Sequence, residues 1–313
     1  MLLPVRFTIP TRRNAICFND SNTKYRSLKS NSELAGSDQK ELISSEQRIE
    51  YRFLLELICG VYAEAFSARF GDNQKKWTLI GKEEFGPYFP FEVPSGFERL
   101  STFYVENNLL PWKSRYNKVL PIGVLLRNGS DHYLIFRGTL AAVEWYHDML
   151  FTQKQWSNGS SEKLLVHSGF NDLFDTVRTA VDLAIDSAQI GEGKLTITGH
   201  SLGAALATLS ALEWSDLKPR LITFGSPRVG NSIFAKTLEK SVSFHQRIEH
   251  IFDPIPNLPP ESVKPFYSEY AHAGEQLLIK GSIDTISSYK DLSKKEVLLG
   301  HLPSAYFDAL DRL

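Results

Sequence analysis

The pentapeptide at residues 199–203, Gly-His-Ser-Leu-Gly, constrains the fold of this chain more than any other feature. It lies between an apolar, β-branched run at 195–198 and a helix-forming run of small residues at 204–212. A G-x-S-x-G sequence in that setting is typical of a nucleophile elbow, a turn so tight that only glycine fits two residues before and after the serine. The hydroxyl is exposed at the end of the strand, beside the free N–H groups of the helix start. The pattern therefore predicts Ser201 as a nucleophile, and an ordinary turn with a serine N-cap is the alternative.

Asp253 is the candidate for the carboxylate that such a serine requires. The serine needs a histidine to take its proton, and the histidine needs a carboxylate to fix its tautomer. In folds built around such an elbow, the acid follows the serine and precedes the histidine. Asp253 ends a strand-like run at 247–252, and the prolines after it end the strand and stiffen the loop. An Asp-Pro pair that only begins a turn is the alternative, and the other acids, Asp216, Asp284 and Asp291, lie in polar stretches typical of solvated loops.

Two histidines follow Asp253, and His301 has the position expected of the base. It lies late in the chain, just before a helix-like run at 304–310. His272 is better interpreted as a structural histidine that is satisfied by hydrogen bonds. The remaining histidines precede Asp253 and show no metal-site spacing, and the two cysteines form no C-x-x-C pair. The sequence therefore predicts no metal and no cofactor.

Thr139 and Leu202 are the candidates for the oxyanion hole. A strand-like run at 132–136 is followed by Arg-Gly-Thr, in which Gly138 allows a sharp turn and Thr139 offers an N–H and a hydroxyl. In an elbow fold, the second donor is the backbone N–H of the residue after the nucleophile, here Leu202. A simple polar turn at 137–139 is the alternative.

These residues together resemble the class 3 lipase family, which includes the fungal triacylglycerol lipases. The similar stretches occur in the family's order at 136–139, 166–170, 198–204, 223–231, 253–260 and 270–275, within a resemblance that spans residues 119–310. The resemblance implies Ser201 as nucleophile, Asp253 as acid, His301 as base, and Thr139 and Leu202 as the oxyanion hole. The family usually has D-H-x-x-Y-F around the base, whereas here glycine precedes His301 and the spacing to the aromatic pair is longer.

A lid is a further implication of this resemblance. The fungal enzymes carry a short amphipathic lid helix after the oxyanion loop, and residues 140–150 occupy that place. Trp145 and Tyr146 are the lid candidates, because aromatic side chains there could cover the site or enter a lipid interface. A fixed helix whose aromatics belong to the core is an equally open interpretation.

Strands and helices alternate over the second two thirds of the 313 residues, a length sufficient for one large α/β domain. Alternation predicts a mostly parallel sheet with helices on both faces, which is the α/β-hydrolase fold implied by the resemblance. We predict three segments: a disordered or targeting tail at 1–41, an N-terminal helix and aromatic-rich elaboration at 42–118, and the catalytic domain at 119–313. The predicted strands are 119–126, 132–137, 194–198, 220–224 and 243–252, and the predicted helices are 41–70, 169–188, 202–214 and 230–240.

Charge and cysteine usage limit the partners and the compartment. The net charge of −1 gives no electrostatic case for nucleic acid. Cys17 and Cys59 make no disulfide framework, and because secreted fungal members carry several bridges, the resemblance implies an intracellular protein, soluble or peripherally associated with membranes. Residues 1–30 are basic and hydroxyl-rich, a composition that an organelle transit peptide can have. A disordered tail is the preferred prediction, and the transit peptide is the alternative.

The predicted function is a serine acyl-ester hydrolase that acts on lipid esters through an acyl-enzyme, with no cofactor. Within that class, the sequence does not choose between triacylglycerol, phospholipid and galactolipid, or a small soluble ester. A non-catalytic hydrolase fold that binds a partner is the alternative from another class, and an acyltransferase is a third.

Overall fold

A seven-stranded sheet positions the candidate residues. The structure is a computed structural model that describes residues 43–77, 79–106, 119–140, 151–156, 163–263, 268–281 and 296–313. In order across the sheet, the strands are β1 (Glu98–Glu106), β2 (Val119–Asn128), β3 (Asp131–Phe136), β6 (Leu195–His200), β7 (Arg220–Phe224), β8 (Phe244–His250) and β11 (Glu275–Ile279). Two small hairpins pair β4 (Gln153–Gln155) with β5 (Leu165–His167) and β9 (Ser262–Val263) with β10 (Ser268–Glu269).

The strand directions bring the loops of interest to one edge of the sheet. β1, β2 and β3 are antiparallel neighbours, whereas β3, β6, β7, β8 and β11 run parallel. The carboxyl ends of parallel strands meet at the same edge, which is where ligands bind in open α/β sheets. The segments that follow β3, β6, β7 and β8 therefore converge there.

Helices cover both faces of the sheet. The helices are α1 (Ser45–Phe70), α2 (Leu79–Phe85), α3 (Ser168–Ala188), α4 (Leu202–Glu213), α5 (Ser232–Ser241) and α6 (Pro303–Asp311). Apolar residues of α3, α4 and α5 form one core with one face of the strands, and those of α1 and α6 form a second core with the other. Alternation along a strand divides its side chains between the two cores, so Leu221 lies in the first and Ile222 in the second.

Helix α1 confirms the long helix predicted over 41–70. The Ser44 side chain accepts a hydrogen bond from the backbone of Gln47, and the Gln47 side chain accepts one in return from the backbone of Ser44, which is a capping box. The helix ends at Gly71, whose φ of 82° suits glycine. Its buried face packs against β2 and the second core.

The elements predicted within 119–313 are present, with shifts at their ends. The predicted strand at 243–252 ends at His250, because the chain turns and the Asp253 N–H donates to the His250 carbonyl at 2.8 Å. The predicted helix at 230–240 begins at Ser232, because the Asn231 side chain accepts from the Phe234 N–H at 2.9 Å and caps it. The α/β-hydrolase architecture is confirmed.

Some predictions lie outside the described residues: the tail at 1–41 and the lid candidates Trp145 and Tyr146. Among the helices that the structure describes, none combines the length and the apolar character needed to cross a bilayer. Within the same residues, no three His, Cys, Asp or Glu side chains are grouped so that they could hold a metal ion.

Candidate active site

Ser201 lies in a strained turn between β6 and α4. Its φ of 59° and ψ of −127° are unfavourable for a residue with a side chain. The two flanking glycines make the turn sterically feasible. A Cβ on Gly199 would lie 2.3 Å from the Gly203 carbonyl oxygen, and a Cβ on Gly203 would lie 2.5 Å from the carbonyl oxygens of Phe136 and Arg137. The sequence thus requires glycine at both positions for the elbow to close.

Asp253 and His301 form a buried pair. The His301 Nδ1 lies 2.7 Å from the Asp253 Oδ2, and both side chains are almost completely buried. The Ile255 N–H donates to Oδ1 at 2.8 Å, and the Tyr306 hydroxyl donates to Oδ2 at 2.5 Å. A carboxylate accepts only, so Nδ1 carries a proton, and with no second proton on the ring Nε2 is an acceptor. That is the tautomer of a general base.

Ser201 and His301 both lie next to His200, and no hydrogen bond joins the side chains of the serine and His301. Among the described residues, the Ser201 Oγ and the His301 Nε2 are both buried and have no hydrogen-bond partner. The ring of His200, the residue before the serine, lies 4.6 Å from the His301 ring. Gly225 lies against the pair: a Cβ there would be 2.6 Å from the Asp253 Oδ2 and 3.1 Å from the His301 Cε1. Catalytic hydrogen bonds are often long or poorly aligned in structures without substrate, so the missing bond does not argue against Ser201 and His301 as partners.

The two predicted oxyanion donors follow neighbouring strands, Thr139 in the loop after β3 and Leu202 at the start of α4 after β6. β3 pairs with β6 so that Phe136 is opposite Gly199, and the residues after the two strands are neighbours. A Cβ on Gly138 would lie 2.8 Å from the Ser201 Cβ. Thr139 and Leu202 are both buried beside this contact.

Tyr62 of α1 contributes a contact that the sequence did not reveal. Burial lowers the pKa of His200, with a further decrease from His301, so the ring is neutral. Its Nε2 lies 2.8 Å from the His301 carbonyl oxygen, which can only accept, and therefore Nε2 carries the proton. Its Nδ1 then accepts from the Tyr62 hydroxyl at 3.0 Å. Burial also raises the pKa of Tyr62, and a hydrogen bond from the Gly138 backbone opposes that rise.

A buried cation lies beneath the oxyanion loop. The Arg137 side chain is inaccessible to solvent, and it donates from Nε to the Pro121 carbonyl at 2.6 Å and from Nη1 to the Gly138 carbonyl at 2.5 Å. Burial lowers the pKa of Arg137 to about 10, so the guanidinium is still charged at neutral pH. This charge stiffens the loop and favours negative charge nearby.

The other candidates lie elsewhere. The His272 Nε2 lies 2.7 Å from the Pro256 carbonyl oxygen, so this histidine holds the loop after Asp253, in agreement with the structural interpretation. Asp216 lies in a 3-10 turn beyond the far end of α4, and Asp284 and Asp291 are outside the described residues.

Known proteins resemble this chain in the region of the site. Residues 133–263 match the family model of class 3 lipases. A secreted mono- and diacylglycerol lipase of Fusarium solani is 34% identical over 128 residues, which are 40% of this chain and 38% of that protein. A chloroplastic phospholipase A(1) of Arabidopsis thaliana is 35% identical over 150 residues, which are 41% of this chain and 34% of that protein.

Similarity of fold extends further than similarity of sequence. The structure of lipase II from Rhizopus niveus superposes with a TM-score of 0.52 and 24% identity, over 83% of this chain and 94% of that one. The matched sequence spans well under two thirds of the length of either curated relative. These comparisons confirm the resemblance predicted from the motifs, together with the fold.

Proposed function

Because the chain belongs to the class 3 lipase family, we propose that it is a serine acyl hydrolase that cleaves fatty-acyl esters of lipids. The observation that carries this proposal is the hydrogen bond between Asp253 and His301. Among the described residues it leaves the buried His301 Nε2 without a partner, as a base for the buried Ser201 Oγ would require. The strained elbow at Ser201 supports it, because strain of this kind is retained where the backbone must hold a nucleophile in a fixed position.

Catalysis would proceed through an acyl-enzyme. The His301 Nε2 takes the proton of the Ser201 hydroxyl while Oγ attacks the ester carbonyl carbon. The carbonyl oxygen becomes an oxyanion, which accepts hydrogen bonds from the N–H groups of Thr139 and Leu202. His301 then gives its proton to the departing alcohol oxygen as the ester bond breaks. Water attacks the acyl-enzyme with the same assistance from His301, which releases the fatty acid and restores Ser201.

Asp253 would act on the base and not on the substrate. It holds the proton on the Nδ1 of His301 and stabilises the imidazolium that forms in each half-reaction. Tyr306 and the Ile255 N–H both donate to its oxygens, so the carboxylate cannot rotate away. The buried charge of Arg137 favours the oxyanion on the opposite side of the site.

The substrate class is inferred from the relatives. One of them is named a mono- and diacylglycerol lipase and another a phospholipase A(1), and both names describe enzymes that hydrolyse carboxylic esters of lipids. We propose the same class of substrate here, bound at the domain of residues 119–313. Trp145 and Tyr146 are proposed as lid residues that contact a lipid surface, which would make the chain a peripheral membrane protein.

The test is release of free fatty acid from purified lipids by the wild type and by Ser201→Ala. The panel holds triacylglycerol, diacylglycerol, phosphatidylcholine and monogalactosyldiacylglycerol, with p-nitrophenyl butyrate as a small soluble ester. Release that the substitution abolishes would support the proposal and identify the head group. Activity on the soluble ester alone would favour an esterase, and a folded protein without any activity would favour a binding protein.

A further inference from the structure

Helix α6 links the catalytic base to the catalytic acid. It begins two residues after His301, and its Tyr306 donates to the Asp253 carboxylate. The placement of α6 therefore determines both members of the pair. The N-cap residue, Leu302, provides no side-chain hydrogen bond to the first turn of this helix. An N-terminal turn left without a cap loosens easily, so another group must hold it.

Glu84 of α2 provides that contact from a distant part of the chain. Its Oε1 accepts a hydrogen bond from the backbone N–H of Ser304, in the first turn of α6, 220 residues away. Burial raises the pKa of Glu84, and hydrogen bonds from Ser304 oppose the rise. A carboxyl group in this position interacts favourably with the positive end of the helix dipole.

Aromatic contacts fix the segment that carries Glu84. We call residues 79–88, which comprise α2 and the 3-10 turn Gly86–Tyr88, the α2 clamp. The Tyr88 ring stacks on Phe307 of α6 with a centroid distance of 6.0 Å. On its other side, the Phe85 ring stacks on Tyr62 at 4.3 Å. The α2 clamp therefore contacts α6 and the helix that supports His200.

We propose that Glu84 is a positioning residue for the Asp253–His301 pair and acts through α6. It touches no reacting atom, and it works by holding the first turn of α6 so that His301 and Tyr306 keep their places. This inference rests on the proposed function for its effect on rate, but its effect on the geometry of the pair is independent of that function.

The variants distinguish the contributions of the charge of Glu84, the length of its side chain and its position on the helix. Glu84→Ala removes the acceptor, Glu84→Gln keeps an acceptor oxygen, and Glu84→Asp keeps the charge but withdraws it by one methylene. Glu83→Ala is the matched control, because Glu83 is the exposed neighbour on the same helix. We expect Glu84→Ala to lower kcat by about ten- to a hundredfold with little change in KM, because small displacements of catalytic groups have effects of that size. Glu84→Gln should recover most of the loss, and Glu83→Ala should behave as the wild type.

A second readout follows the pair directly. The proton between the His301 Nδ1 and the Asp253 Oδ2 should give a low-field proton NMR resonance, which is recorded in the Ser201→Ala background so that turnover plays no part. We expect Glu84→Ala and Glu84→Asp to shift or broaden this resonance, and Glu83→Ala to leave it unchanged. If Glu84→Ala does not fold, Glu84→Asp supplies both measurements.

The outcomes separate this inference from the proposed function. Folded Glu84 variants with the kcat and the resonance of the wild type would overturn it, as would variants that lose only thermal stability, since Glu84 would then be a helix cap and nothing more. A shifted resonance in a protein whose wild type hydrolyses no ester would support the positioning role and contradict the proposed function.

Discussion

Replacing Tyr62 by phenylalanine tests whether the N-terminal helix is part of the active site. The substitution removes one oxygen atom, which donates to the His200 Nδ1 at 3.0 Å and accepts from the Gly138 backbone. Both partners are buried, so water cannot replace the lost hydrogen bonds. Leaving a buried polar group unsatisfied costs about 1–3 kcal/mol, so two such groups should lower the free energy of unfolding by about 2–6 kcal/mol.

Losing the Tyr62 hydroxyl should also lower the rate of the catalysed reaction. Gly138 precedes the predicted oxyanion donor Thr139, and His200 both precedes Ser201 and holds the His301 carbonyl at 2.8 Å. A looser arrangement of these groups should lower kcat by about tenfold, because catalytic groups must be held close to their productive geometry. The effect on KM should be small, because neither group is proposed to bind the ground-state substrate.

The assay is urea denaturation together with steady-state hydrolysis of the preferred lipid. Tyr51→Phe is the matched control, because Tyr51 is equally buried on α1 but lies 11 positions earlier, about 16 Å along the helix axis. We expect the control to change the free energy of unfolding by less than about 1 kcal/mol and to leave kcat unchanged. Equal free energies of unfolding for the two variants would refute the reasoning, because the hydrogen bonds of the Tyr62 hydroxyl would then make no net contribution to stability.

Three further predictions follow from the site. The free energy of unfolding of Ser201→Gly should be about 1 kcal/mol higher than that of Ser201→Ala, since glycine accepts a φ of 59° without strain. Equal values would show that the elbow stores no backbone strain. Asp253→Asn should lower kcat by about four orders of magnitude, because an amide N–H holds the wrong His301 tautomer, and a loss below tenfold in a folded variant would contradict that role. Gly199→Ala should lower the free energy of unfolding by about 1–3 kcal/mol, because its Cβ would lie 2.3 Å from a carbonyl oxygen, whereas Gly191→Ala, with its closest contact at 3.9 Å, should not.

The elbow and the order of the acid and the base could be predicted from the sequence because each depends on a local or a one-dimensional rule. The glycines at 199 and 203 are required by the backbone within one turn. Asp253 and His301 are 48 residues apart, but their order in the chain and the Asp-Pro strand end were sufficient to select them. In the hydrogen bond between them, His301 carries its proton on Nδ1, as those predictions require.

The supporting contacts could not be predicted, because they depend on tertiary structure. Tyr62 lies on the apolar face of α1, where helical periodicity predicts a core residue, and nothing local indicates that its hydroxyl contacts a residue 138 positions away. Glu84 lies in a short polar stretch that is typical of a solvated surface, and its partner is 220 residues distant. Chain order indicates the candidate reacting groups, whereas the groups that contact and support them are determined by which helix packs on which face of the sheet.

The N-terminal elaboration is therefore structurally continuous with the site, although it lies outside residues 133–263 that match the family model. Helix α1 fills one of the two cores and places Tyr62 against His200, while the α2 clamp holds α6 against Asp253. Without this segment, the sheet face that bears Ile222 and Ile248 would be exposed to water at a large cost in free energy. The predicted boundary at residue 118 thus divides the sequence at the limit of the family resemblance, whereas the contacts around the candidate active site come from both sides of it.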